Sequence, residues 1–109
     1  MKMVVAVVQD KDSGRLSQQL VKKGFRATKL ASTGSFLRAG NTTFLIGTND
    51  ENLPEVIEII QQNCKSRKQM VTPVSPLSNA VDSFMPYPLE VQVGGAAVFV
   101  LDVQQFHSF

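Results

Sequence analysis

Every position from Met3 to Val8 is apolar, and the run is mostly β-branched. It reads as a strand whose two faces are both kept from water. Asp12 and Ser13 then offer helix caps. Leu16, Leu20 and Val21 form a short apolar stripe, Lys22 and Lys23 suit a helix C-terminus, and Gly24 suits the residue after it, so the pattern predicts a helix over 12–23. Two strands follow, at 25–32 and 42–47. Asn52 is placed to cap a second helix with Pro54 in its first turn. Its apolar face is Leu53, Val56, Ile57, Ile60 and Cys64, and it is expected to end near Ser66.

Residues 67–88 carry Pro73, Pro76, Pro86 and Pro88 and read as a long irregular stretch. Glu90–Val93 alternates as a half-buried strand, Gly94 and Gly95 make a turn, and Ala96–Leu101 is another apolar strand. The order β-α-β-β-α-β plus one extra strand is that of a ferredoxin-like α+β fold, with residues 1–109 forming a single domain. Two helices cover only one face of such a sheet. Strands 3–8 and 96–101 are nevertheless apolar at odd and even positions alike, so a lone subunit would leave an apolar face wet. A symmetric oligomer that buries this face is therefore expected.

Composition narrows the function. The net charge of +2 is too small for capture of a nucleic acid polymer, which draws on many phosphate contacts. An RNA-binding domain with the same strand order would need exposed aromatic residues on a basic sheet face, and neither is evident. Cys64 is the single cysteine, which excludes an intrachain disulfide and a cysteine-rich metal site. The apolar run at 3–8 is shorter than a signal-peptide core or a membrane span; no membrane insertion and a cytoplasmic setting are expected.

No catalytic constellation stands out, and the chain reads as no enzyme. His107, the sole histidine, has no local partner for a triad or a metal. Asp10, Asp12, Asp50 and Glu51 lie near predicted helix starts, where capping and dipole roles account for them. Gly34 and Gly40 frame a segment that superficially resembles a phosphate-binding P-loop. Five residues rather than four separate the glycines, Asn41 replaces the lysine, and no helix follows.

Binding chemistry concentrates in the loop between the second and third strands. Phe36, Leu37, Arg38 and Asn41 bring an aromatic face, a cation and an amide together, groups that can hold a nucleobase and its phosphate. Two readings are open for Phe36 and Leu37: they cover a base, or they plug against a neighbouring subunit or their own strands. Arg26 and Thr28 share one face of an extended strand and can present a cation and a hydroxyl together, whereas Lys29 points the other way.

The runs Phe25-Arg-Ala-Thr-Lys-Leu-Ala-Ser-Thr-Gly34 and Phe36-Leu-Arg-Ala-Gly-Asn-Thr-Thr-Phe-Leu-Ile-Gly47 resemble the PII-like cyclic-di-AMP receptor proteins of Gram-positive bacteria. So do Val7-Val-Gln-Asp10, Pro73-Val-Ser-Pro76, Pro86-Tyr-Pro88 and Val93-Gly-Gly-Ala-Ala-Val-Phe-Val100, and the likeness spans the whole chain. The resemblance implies a PII-like homotrimer with inward-facing sheets, cyclic-di-AMP bound at each subunit interface, no other cofactor and no catalysis. It implies ligand contacts at Arg26, Ala27, Thr28, Phe36, Leu37, Asn41, Gly47 and Phe99. Ligand binding would order loops 33–41 and 67–88 for a downstream protein partner. Ser35 stands where that family usually has a second glycine, and restricts the loop backbone. The alternative is a nitrogen-type PII regulator binding ATP or ADP, against which the short loop after the second strand counts.

Overall fold

A computed structural model describes residues 1–32, 40–71 and 89–109. Strand β1 (Lys2–Gln9) leads into helix α1 (Asp10–Lys22), followed by β2 (Ala27–Ser32) and β3 (Asn41–Thr48). A 3-10 turn at Asp50–Asn52 opens α2 (Leu53–Cys64), and β4 (Arg67–Val71), β5 (Leu89–Val93) and β6 (Ala96–Asp102) complete the chain. The main sheet has the order β2-β3-β1-β6, with β1 antiparallel to both of its neighbours and β2 antiparallel to β3. This is the ferredoxin-like arrangement. Strands β4 and β5 pair with each other in a separate antiparallel ribbon.

The helices close one face of the sheet. Val4, Ala6 and Val8 of β1 and Phe44 and Ile46 of β3 meet Leu16 and Leu20 of α1 and Val56, Ile60 and Cys64 of α2, all at most 1% exposed. The four-residue spacing within each helix puts these side chains on one stripe. Val21, expected in that stripe, is 71% exposed, because each residue turns the helix by about 100° and Leu20 has taken the inward position. Helix α1 ends as anticipated at Gly24, which takes φ +84°. Gly24 N–H donates to Val21 O and Phe25 N–H to Leu20 O, each at 2.9 Å, in a Schellman arrangement.

Several boundaries differ from expectation. Helix α1 begins at Asp10 behind an extended Gln9, and Asp12 is not a cap: it is 2% exposed and takes a bond from Arg67 Nη2 at 2.9 Å. A tertiary partner overrides the local capping role. Asn52 makes no side-chain cap, because the 3-10 turn already leads the backbone into α2, which stops at Cys64. Residues 67–71, read as the start of an irregular stretch, form β4. Their hydrophobic pattern does not alternate, and what holds them is a distant partner strand, including an ion pair from Lys68 to Glu90 at 3.3 Å. The remainder of that stretch, 72–88, lies outside the described residues.

The other face of the sheet is open. Thr28, Leu45, Val5 and Phe99 stand in register as one row across all four strands. Leu30, Phe99 and Leu101 on this face are 43%, 44% and 53% exposed.

Candidate functional site

The end of the sheet where β2 begins carries an apolar cleft of about 340 Å³. Its floor is Gly47 of β3; Arg26, Ala27 and Thr28 form one wall, and Met3, Leu45 and Phe106 line the rest. The register explains the gathering. Ala27 pairs with Ile46 and Thr28 with Leu45, which sets Arg26 beside Gly47 one step further along. Gly47 keeps the floor low: a Cβ there would stand 3.3 Å from the Met1 Cε methyl. A second, more polar cleft of about 360 Å³ adjoins it, bounded by Lys23, Phe25, Asn49 and Asn52 and sharing Arg26 and Gly47 with the first. The Arg26 side chain is exposed and makes no ion pair with another described residue. An apolar slot with a hydroxyl on its wall and a guanidinium between it and a polar recess suits a flat heteroaromatic ring bearing an anionic group.

Four of the eight expected contacts, Arg26, Ala27, Thr28 and Gly47, thus line one cleft. Asn41 does not join them. It lies at the opposite end of β3, six residues from Gly47 and so roughly 20 Å along the strand, and is 3% exposed. Phe99 is on the far edge strand, three strand spacings from Thr28. Phe36 and Leu37 lie outside the described residues. Sequence reasoning missed Met3, Leu45 and Phe106. For Met3 the available signal was its odd, open-face position in a strand read as apolar on both sides; Leu45 carried only its place in the strand at 42–47, and Phe106 only its position in the tail.

Elsewhere the side chains take structural roles. His107 stacks on Phe109 with ring centroids 6.0 Å apart, and its Nε2 lies 3.1 Å from Gln105 Oε1. Burial, and secondarily the nearby Asp12 carboxylate, push the Cys64 thiol up to about 11, so it is a protonated core residue at neutral pH. Among the described residues, no helix is long and apolar enough to cross a membrane.

A ferredoxin-like sheet with a cleft at one corner is an arrangement that can hold a small ligand. The chain belongs to the cyclic-di-AMP receptor family, whose model matches residues 1–109. That family is one of signalling receptors that bind cyclic-di-AMP. The chain is similar over 99% of its length to the crystal structure of a functionally unknown protein from Pediococcus pentosaceus ATCC 25745, with 48% identity, a TM-score of 0.82 and 96% of that chain covered. A DUF3240-family protein from Shewanella baltica OS155 shares the fold at 12% identity and a TM-score of 0.56, over 99% of this chain and 94% of the other.

Proposed function

We propose that this chain is a cyclic-di-AMP receptor that binds its ligand at interfaces between copies in a homotrimer. Occupancy alters the surface of segments 33–41 and 67–88, which a partner protein then reads. The observation that carries this reading is the cleft uniting Arg26, Ala27, Thr28 and Gly47, in a chain that matches the receptor family from end to end. Adenine fits the apolar slot, and Arg26 suits a phosphate. The separation of Asn41 and Phe99 from that cleft supports a shared site: residues at opposite ends of one strand, or at opposite edges of one sheet, are brought to a single compact ligand most readily by a neighbouring copy. The exposed Leu30, Phe99 and Leu101 supply the apolar surface that such an assembly would bury.

Stacking contributes about 1–3 kcal/mol and a bidentate amide contact a similar amount. A charged hydrogen bond adds about 1.5–3 kcal/mol, against an association cost of about 4 kcal/mol or more. One such set of contacts leaves at most about 5 kcal/mol, so micromolar affinity, about −8 kcal/mol, requires the ligand to engage several of them at once, as a dinucleotide with two bases and two phosphates can. Titration calorimetry with cyclic-di-AMP, cyclic-di-GMP, ATP and ADP tests the reading: heat is expected from cyclic-di-AMP above the others. Arg26→Ala should weaken binding roughly 10- to 150-fold through loss of that charged bond, and Asn41→Ala should also weaken it. Absence of heat with millimolar cyclic-di-AMP would end the proposal.

A further inference from the structure

Four consecutive residues at the junction of β1 and α1 each reach a different point on the surrounding chain. Gln9 Oε1 accepts from Gly94 N–H at 2.6 Å, at the foot of β5. Asp10 N–H donates to Gly40 O at 2.9 Å, and its Oδ1 accepts from Thr42 Oγ1 at 2.6 Å. Lys11 Nζ donates to Gln69 Oε1 in β4 at 3.2 Å. Asp12 accepts from Arg67, the first residue of β4, at 2.9 Å. One short stretch of backbone therefore holds the residues on both sides of Asn41 and both strands of the ribbon.

Little slack exists at either end. A Cβ on Gly40 would fall 2.5 Å from Asp10 Oδ2, while the other oxygen of that carboxylate is held by Thr42. A Cβ on Gly94 would fall 2.5 Å from Arg67 Nη1 and 2.6 Å from Lys65 O. Asp12 is buried, so losing its partner Arg67 would leave an uncompensated carboxylate away from water. Gln9 and Asp12 are joined to Asp10 through the end of a central strand and the first turn of a helix. The bonds thus form one continuous run of contacts from Gly40 through Asp10 to the foot of the ribbon.

The geometry points to Gln9–Asp12 as a positioning element that couples occupancy beside Asn41 to the β4–β5 ribbon. This inference rests on the proposed cyclic-di-AMP reading, with Asn41 as a ligand contact. Coupling of this kind requires two linked elements whose arrangement the ligand biases.

The test compares calorimetry with hydrogen exchange of the β4 and β5 amides on the full chain. In the unmodified protein, saturating cyclic-di-AMP should slow exchange in 67–71 and 89–93 by about 5- to 150-fold, the ordinary range of coupling between sites. In Gln9→Leu/Lys11→Met the ligand should still bind, with affinity reduced by no more than the protection lost. Its ribbon exchange should stay within about twofold of the ligand-free rate. Gly40→Ala, which touches no ribbon residue, should lose the same response at saturation, and carries the test alone if the double variant does not fold. A purely structural role would shift basal exchange without changing the increment produced by ligand. Ribbon protection equal to that of the unmodified chain in either variant overturns the inference. So does an unmoved ribbon in the unmodified protein when calorimetry shows binding, and in both cases the receptor reading stands. An unmodified protein that gives no heat with cyclic-di-AMP removes both.

Discussion

The two faces of the main sheet are built from the same strands and come to opposite ends. On one, Val4, Ala6, Val8, Phe44 and Ile46 are sealed under α1 and α2. On the other, Leu30, Phe99 and Leu101 remain about half exposed, although their side chains are no more polar. Alternation along a strand delivers a side chain to each face in turn, but a chain with two helices has covering for one. The closed face supplies the stability of the single subunit. The open face carries the cleft and the exposed Leu30, Phe99 and Leu101.

The sharpest contrast is expected from Phe44→Ala, which should lower unfolding free energy by about 3–5 kcal/mol in chemical denaturation, since it leaves a cavity under two helices. Leu101→Asp, on the open face, should leave the fold intact and abolish self-association in sedimentation experiments. A variant that sediments like the unmodified chain would mean that this face is not the interface.

Cys64 sharpens the picture of the closed face through pH. Its thiol is raised to about 11 in the folded chain, above the ordinary thiol range, so the unfolded chain loses its proton first. Stability associated with it is fully present below the ordinary value and is lost as pH rises toward 11, at up to about 1.4 kcal/mol per pH unit. The slope of thermal midpoint against pH in that alkaline window should therefore be shallower in Cys64→Ala.

The smallest effect belongs to the exposed ion pair of Lys2 and Asp102. The hydrogen bond to Lys2 holds the Asp102 carboxyl below its ordinary range, and the same bond holds the Lys2 ammonium above its own. Its contribution is present between those ranges. It fades as pH falls through the Asp102 value or rises through that of Lys2. Asp102→Asn should leave the thermal midpoint nearly unchanged at moderate salt, because exposed pairs are screened.

Much of the fold was legible from local pattern. The Met3–Val8 run, the four-residue spacings of both helices and the positive-φ role of Gly24 each depend on neighbours within a few positions. Within the candidate site, the shared face of Arg26 and Thr28 followed from strand alternation, whereas their meeting with Gly47 is set by the register of β2 against β3. Strand β4 was not legible, because Arg67–Val71 is held by residues 18 to 26 positions later. Nor was the role of Asp12, whose position near a helix start suggested a cap while Arg67, 55 residues away, claims it.

The order of residues alone determined which of the described segments, β4 apart, are helical or extended, which face of each helix is apolar, and that two strands carry grease on both sides. These properties follow from 3.6- and 2-residue periods that any short stretch of chain expresses by itself. Only the tertiary structure decided that β6 rather than β5 completes the sheet, that Asn41 and Gly47 stand at opposite ends of β3, and that Gln9–Asp12 touches both Gly40 and the ribbon. Each of those is a pairing between segments far apart in the chain, set by register and by competition for partners, and no local period encodes it.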